Sequence, residues 1–157
     1  IFVATAVFMV AILVALAADD GSVVADYDRA DVVLIGVSRS GKTPTCIYMA
    51  MQYGVFAANY PFTEDDFDSK QLPASVRGHT RKLFGLTIGP MRLQQIRNER
   101  RPGSRYASIA QCEFEVRSAE NLFHRHGIPA IDTTECSIEE IASRIIDRKG
   151  IERRLRP

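Results

Sequence analysis

One stretch of the chain has the residue types of a phosphate-binding loop. Residues 36–43, Gly-Val-Ser-Arg-Ser-Gly-Lys-Thr, match the pattern G-x-x-x-x-G-K-[ST] at every fixed position. Gly36 and Gly41 allow backbone turns that direct successive N–H groups at phosphate oxygens. Lys42 can reach the terminal phosphates, and Thr43 can ligate Mg²⁺. The stretch therefore predicts that a nucleotide binds through its phosphates.

The residues on either side of this loop predict the elements that it needs. Val32–Ile35 is a β-branched apolar run, typical of a strand buried on both faces, and it stops at Gly36. Pro44 suits the first turn of a helix, which we expect to end at Gly54. We expect nucleotide contacts from the whole loop: Gly36, Val37, Ser38, Arg39, Ser40, Gly41, Lys42 and Thr43.

Further apolar runs predict more strands. Residues 55–58, 82–88 and 128–132 are short, apolar and bounded by turn residues, whereas residues 60–74 are rich in acidic residues and proline and predict an exposed loop. Strands that alternate with helices favour an α/β fold of P-loop type, with a mostly parallel sheet and helices on both faces. In such sheets, ligands bind at the carboxyl ends of the strands.

Three more helices have start signals in the sequence. Pro90 predicts the first turn of a helix that runs to Arg100, with Met91, Leu93 and Ile96 as its inner face. Two S-x-x-[EQ] capping patterns, which begin at Ser108 and Ser137, predict helices at about residues 109–126 and 138–148.

Composition excludes several classes of function. The chain has 20 Lys and Arg against 19 Asp and Glu, so no global field draws it to nucleic acid or to an anionic membrane. Its 3 cysteines are odd in number and lack CxxC spacing, which argues against a disulfide framework and a zinc site. We therefore expect a cytoplasmic protein.

The segment from Ile1 to Ala18 is apolar and carries no charge. It just reaches the length of a membrane span, and Ala15-Leu16-Ala17 mimics a signal-peptidase site. We interpret it as a buried element and leave a membrane or signal-like role open. Residues 19–157 then form one nucleotide-binding domain.

Asp132 is the best-placed carboxylate for Mg²⁺ outside the loop. It ends the apolar run 128–131, at a position where a carboxylate could act through a water of the cation. A turn or helix-capping aspartate is an equally good interpretation.

The loop and several separate blocks resemble one family, the regulatory proteins of phosphoenolpyruvate synthase and of pyruvate phosphate dikinase. Residues 36–54, GVSRSGKTPTCIYMAMQYG, carry the family's GVSR-x-x-KTP form of the loop. Further similar blocks are AANYPFTEDD, HTRKLFGLTI, RLQQIRNERRPGSRYAS, QCEFEV and SIEEIA. The resemblance extends from about residue 19 to residue 154, and it marks the chain as the C-terminal P-loop part.

The resemblance implies two opposed reactions of a serine/threonine kinase and pyrophosphorylase. In one, ADP-dependent phosphorylation of a threonine inactivates phosphoenolpyruvate synthase (pyruvate, water dikinase). In the other, inorganic phosphate removes that phosphoryl group and releases pyrophosphate. The implied ligands are ADP, or ATP, with Mg²⁺ and inorganic phosphate as co-substrate, and the implied partner is phosphoenolpyruvate synthase. A homo-oligomer stays open.

Five arginines follow the third predicted strand: Arg92, Arg97, Arg100, Arg101 and Arg105. Guanidinium groups bind phosphate oxygens in pairs, so we expect Arg97, Arg100, Arg101 and Arg105 to dock phosphate or the phosphorylated partner. A solvated helix face is the alternative. We expect Lys42, Ser38 and Arg92 to act in catalysis.

Two departures from the family pattern bear on activity. Gly89 stands where the family usually has aspartate in L-T-I-D-P, and only 35 residues precede the loop, fewer than in the family. Loss of that carboxylate could impair transfer and spare nucleotide binding. Two alternatives therefore remain open: a P-loop kinase of a small metabolite, and a nucleotide-binding module without catalysis.

Overall fold

The computed structural model describes residues 27–155, which form an α/β fold. Its strands are Val32–Gly36 (β1), Ala57–Pro61 (β2), Leu83–Thr87 (β3) and Ala130–Asp132 (β4). They pair in parallel in the order β2-β1-β3-β4, with Val33 opposite Ala58 and Leu83. The predicted fold class is confirmed, and β1 occupies an inner position of the sheet.

Six α-helices accompany the sheet within the described residues. They are Lys42–Tyr53 (α1), Glu64–Asp68 (α2), Ala74–Arg77 (α3), Pro90–Arg100 (α4), Ile109–Arg125 (α5) and Ile138–Lys149 (α6). Short 3-10 turns at Thr80–Lys82 and Arg105–Ala107 precede β3 and α5. The predicted starts at Pro90, Ser108 and Ser137 are confirmed, and the hydroxyl oxygens of both serines accept a hydrogen bond from the helix.

Apolar side chains of the sheet form one core on each face. Val32 and Leu34 face α1 and α6, whose Met49 and Ile145 are fully buried. Val33 and Ile35 point the other way, toward α4 and α5. Because successive side chains of a strand alternate between faces, an all-apolar β1 has to be covered on both sides.

The second and the fourth strand each begin two residues later than predicted. The second begins at Ala57 and not at Val55, because the N–H of Val55 donates to Met49 O and completes the end of α1. The fourth begins at Ala130, since the N–H of Ile128 donates to Phe123 O at the end of α5. In both cases, residues whose composition is typical of a strand instead form hydrogen bonds at the end of the preceding helix.

The prediction of an exposed loop over residues 60–74 is wrong in part. β2 continues to Pro61, and α2 and the start of α3 lie in the same stretch. At the start of α2, the N–H of Thr63 donates to the Asp66 carboxylate at 2.8 Å. Acidic residues in the first turn of α2 stabilise it, as the helix dipole requires.

The predicted inner face of α4 is also wrong at one position. Leu93 is fully buried and Ile96 is partly buried, but the side chain of Met91 is 73% exposed. Positions two residues apart lie about 200° apart around a helix, so Met91 and Leu93 cannot face the same core. The inner position is taken instead by Arg97, which is fully buried.

The apolar segment of residues 1–18 lies outside the described residues, as does its predicted boundary with the domain. Among residues 27–155, no helix is both long enough and apolar enough to cross a bilayer.

Candidate phosphate-binding site

The predicted loop joins an inner strand to a helix at the carboxyl edge of the sheet. β1 ends at Gly36 and α1 begins at Lys42, so the N-terminus of α1 borders the loop. A helix N-terminus offers N–H groups and a partial positive charge to an anion. The strand, loop and helix therefore occur in the order that the sequence predicts.

Two glycines permit the path of this loop. A Cβ atom on Gly36 would overlap the carbonyl oxygen of Leu86 in β3, so only glycine allows the two strands to lie this close. Gly41 has a φ of 94°, which an L side chain rarely adopts. Between them, Arg39 also has a positive φ, 71°, and its side chain is exposed.

Lys42 lies within its own loop. Its side chain is only 5% exposed, and Nζ donates to Val37 O at 2.5 Å and to Ser40 Oγ at 3.4 Å. These contacts hold the ammonium group among the loop atoms that are expected to surround phosphate.

Ser40 connects the loop to the ends of two other strands. It is 1% exposed, and its Oγ donates to Val37 O at 2.8 Å. Its carbonyl oxygen accepts a hydrogen bond from Thr133 Oγ1 at 3.1 Å, and the same hydroxyl lies 3.1 Å from Thr87 O. Thr133, which sequence analysis missed, therefore ties the loop to the carboxyl ends of β3 and β4.

The predicted magnesium ligand Thr43 has a buried neighbour. Asn59 in β2 is fully buried, and its Nδ2 donates to Thr43 Oγ1 at 3.2 Å. Within residues 27–155, Asn59 Oδ1 has no hydrogen-bond partner. A hydroxyl and an amide oxygen are donor atoms that suit Mg²⁺ and its water shell, so these residues fit the predicted cation.

Asp132 lies at the same edge of the sheet, at the end of β4. Its Oδ1 accepts hydrogen bonds from Thr134, from the N–H at 2.8 Å and from the hydroxyl. Thr134 Oγ1 in turn accepts the N–H of Gly89 at 2.8 Å. Asp132 thus forms the turn that sequence analysis gave as its alternative role, and its carboxylate is exposed beside the start of α4.

Arg97 does not lie on the surface, where the phosphate-docking prediction needs it. It is fully buried and forms two hydrogen bonds to Glu115, at 2.7 and 3.1 Å. Burial opposes the charged form of Arg97, but the hydrogen bonds and the charge of Glu115 outweigh it and raise the pKa of the guanidinium above its ordinary value. This arginine is a structural residue of α4.

The buried Arg97–Glu115 pair also contacts the predicted loop of residues 36–43, called the phosphate loop below. Arg97 Nη2 donates to Ser38 O at 3.2 Å, and Nη1 donates to Tyr106 O at 3.0 Å. The Tyr106 hydroxyl is 2.7 Å from Ser38 Oγ, and its ring lies 4.1 Å from the Arg97 guanidinium. Ser38, predicted to act in catalysis, is therefore held by side chains from two other parts of the chain.

The other four predicted arginines are exposed. Arg92, in the first turn of α4, donates to Gln95 Oε1 at 3.3 Å, and Arg101 lies 5.7 Å from the Tyr106 ring. Arg100 lies in the last turn of α4. Arg105 is 3.7 Å from the Glu64 carboxylate and joins Ser38 and Tyr106 in lining a pocket of about 350 Å³. Arg105 therefore lies beside the loop, whereas Arg92 lies in the first turn of α4.

Asn59, Tyr106, Thr133 and Glu115 are site residues that sequence analysis missed. Only Glu115 had a visible signal. It lies three residues after Cys112 and four before Ala119, both buried on the inner face of α5. A charge on an apolar helix face requires a buried partner, which is Arg97.

Comparison with known proteins gives one family and a set of close relatives. The sequence model of the kinase/pyrophosphorylase family matches residues 7–146. The chain is 62% identical over 142 residues to a protein of Pseudomonas fluorescens strain Pf0-1 named "Putative phosphoenolpyruvate synthase regulatory protein". Proteins of the same name in Ectopseudomonas mendocina and Stutzerimonas stutzeri are 62% and 61% identical to it.

Each alignment covers 90% of this chain and 52% of the relative, so the chain spans about half the length of the curated relatives that it matches. The match includes β1, the phosphate loop and all the site residues described above. The chain belongs to the kinase/pyrophosphorylase family.

Proposed function

We propose that this chain is the nucleotide-binding part of an enzyme that regulates phosphoenolpyruvate synthase. In one direction, the β-phosphoryl group of ADP passes to a threonine hydroxyl of the synthase and leaves AMP. In the other, inorganic phosphate takes the group from the phosphothreonine, which gives pyrophosphate and restores the hydroxyl. The observation that carries this proposal is the phosphate loop between β1 and α1 in a chain of the kinase/pyrophosphorylase family.

The loop residues would share the work of binding ADP. Backbone N–H groups of residues 36–43 and the N-terminus of α1 cradle the phosphates, and Lys42 neutralises charge that develops during transfer. Thr43, with Asp132 acting through water, would hold Mg²⁺, which would offset the charge of the phosphate groups. Ser38 lies beside the pocket that contains Arg105, where the acceptor could approach.

The exposed arginines would dock the other anionic ligands. Arg105 is the best placed, because it lines the pocket beside Ser38. Arg92, Arg100 and Arg101 would bind inorganic phosphate or the phosphorylated partner from their exposed positions on and after α4. Arg97 has no such role in the proposal, since Glu115 occupies its guanidinium.

A second function, nucleotide binding without catalysis, is favoured by one residue. Gly89 immediately precedes α4, and its N–H donates to Thr134 Oγ1, at a position where the resemblance to the family implies a carboxylate. A site that lacks this carboxylate could still bind ADP through the loop and fail to transfer its phosphoryl group.

The test of the proposal is a labelled-phosphate assay with phosphoenolpyruvate synthase as acceptor. The unsubstituted chain, with Mg²⁺ and ADP labelled on its β-phosphate, is mixed with purified phosphoenolpyruvate synthase. We expect label on a synthase threonine, its release as pyrophosphate when inorganic phosphate is added, and loss of both in Lys42→Ala. Lys70→Ala, which changes an exposed lysine outside the loop, is the matched control and should behave as the unsubstituted chain.

Either of two results would contradict this function. Transfer in either direction by Lys42→Ala would exclude a shared site at the loop. Absence of transfer by a chain that still binds ADP would favour the module without catalysis.

A further inference from the structure

Asn59 is a polar residue in a position that packing alone would give to an apolar one. It lies in the middle of β2, directly opposite Leu34, and it is fully buried. Its neighbours in the strand, Ala57 and Ala58, are also buried. A buried amide needs hydrogen-bond partners, so its presence here indicates a role other than filling the core.

Within residues 27–155, only the nitrogen of the Asn59 amide has a hydrogen-bond partner. Nδ2 donates to Thr43 Oγ1 at 3.2 Å, whereas Oδ1 has no partner among residues 27–155. Thr43 belongs to the first turn of α1, at the end of the phosphate loop. The unsatisfied oxygen therefore lies beside the hydroxyl that the proposed function assigns to Mg²⁺.

We propose that Asn59 is a positioning residue that orients the Thr43 hydroxyl toward the Mg²⁺ of a bound nucleoside diphosphate. This inference rests on the proposed function. The Asn59 amide N–H donates to Thr43 Oγ1, and this hydrogen bond would fix the orientation in which that hydroxyl meets the cation. Mg²⁺ keeps several of its waters in protein sites, and one of these supplies the hydrogen bond that Asn59 Oδ1 lacks.

The test measures how strongly Mg²⁺ strengthens the binding of ADP, without any turnover. Calorimetry gives the dissociation constant of ADP in excess Mg²⁺ and in EDTA, and the ratio of the two is the Mg²⁺ enhancement. The proteins compared are the unsubstituted chain, Asn59→Leu, Thr43→Val and the double variant. Asn121→Leu, on the exposed side of α5, is the matched control.

We expect Asn59→Leu to lower the Mg²⁺ enhancement about 10-fold or more, as is typical when a residue that orients a metal ligand is lost. Affinity in EDTA should stay unchanged, and so should both values in Asn121→Leu. Since Asn59 acts through Thr43, Asn59→Leu should lower the enhancement no further when Thr43→Val is already present. Asn59→Ser, which keeps a polar group of smaller reach, should give the same loss if Asn59→Leu does not fold.

Two outcomes would overturn the inference and leave the proposed function intact. One is a full Mg²⁺ enhancement in both Asn59 variants. The other is an equal loss of ADP affinity with and without Mg²⁺, which is the result expected of a purely structural asparagine. If the unsubstituted chain binds no ADP under either condition, the proposed function and the role of Asn59 both fail.

Discussion

Arg97 and Glu115 are two buried side chains of opposite charge that lie next to the phosphate loop. The pair joins α4 to α5, and the same guanidinium donates to Ser38 O and Tyr106 O. A surface arginine could bind phosphate, but this one instead determines where Ser38 lies. Arg97 therefore contributes to the site by fixing the shape of the loop.

Removal of Glu115 should strongly destabilise the fold. In Glu115→Ala, Arg97 keeps a buried charge without its partner, so we expect the free energy of unfolding to fall by about 3–5 kcal/mol. Urea unfolding measures this change. Glu64→Ala removes the carboxylate of an exposed pair with Arg105 and one acidic residue from the first turn of α2, so it should change stability by no more than about 1 kcal/mol.

A double variant distinguishes the buried charge from simple loss of packing. Arg97→Met with Glu115→Leu removes both charges and keeps apolar volume, so it should be more stable than Glu115→Ala. If the double variant is the less stable of the two, the uncompensated charge is not the cause.

At the scale of the elements, the start of α4 lies against the turn that follows β4. Gly89 precedes α4 with φ −59° and ψ 134°, a conformation that any residue can adopt. Its N–H donates to Thr134 Oγ1, and the Thr134 hydroxyl donates to Asp132. A side chain at position 89 would therefore lie near the carboxylate that ends β4.

Gly89→Asp should create a site that responds to Mg²⁺. Two carboxylates at one edge of the sheet favour a divalent cation, because it relieves their repulsion. At a Mg²⁺ concentration tenfold above its dissociation constant, the cation adds about 1.4 kcal/mol of stability. For a chain of this size that raises Tm by roughly 3–6 °C. Thermal unfolding with and without Mg²⁺ measures the effect.

Gly89→Asn is the matched control for this prediction. It has the same shape and also caps α4, but it lacks the charge, so its Tm should not depend on Mg²⁺ beyond the response of the unsubstituted chain. An equal response to Mg²⁺ in Gly89→Asp and Gly89→Asn would contradict the prediction.

At the scale of the whole molecule, the two edges of the sheet at which the strands begin and end differ in what they hold. The loop of residues 36–43 lies at the carboxyl edge, and at the amino edge the start of β1 is joined to the end of the described residues. Arg154 donates to both oxygens of Asp31, at 2.6 and 2.8 Å, and to Gly54 O at 2.9 Å. The hydrogen bonds to Asp31 and the charge of its carboxylate raise the pKa of Arg154 above its ordinary value.

Arg154→Met should therefore lower stability and leave the site unchanged. Because the pair is partly exposed, we expect the free energy of unfolding to fall by only about 1 kcal/mol. The dissociation constant of ADP should not change. Urea unfolding and calorimetry on one sample check both parts, with Arg144→Met on the exposed side of α6 as control. A weaker affinity for ADP would show that the two edges are coupled.

The sequence by itself determined the features that depend on a few neighbouring residues. The apolar run of β1, the glycine pattern of the loop and the Ser137 capping pattern each lie within one short window, and all three occur where they were predicted. Steric freedom, helix capping and alternation of side chains act over such distances, so local spacing is sufficient evidence for them.

Only the tertiary structure decided which side chains meet at the loop. Asn59 reaches Thr43 from 16 positions away, Thr133 reaches Ser40 from 93, and Arg97 reaches Ser38 from 59. No local sequence feature separates the buried Arg97 from the four exposed arginines after β3. The sequence alone therefore could not show that Arg97 faces inward. Contacts of this kind depend on which strands pair and how helices pack on them, and that order follows from burial of the whole apolar surface rather than from any local spacing.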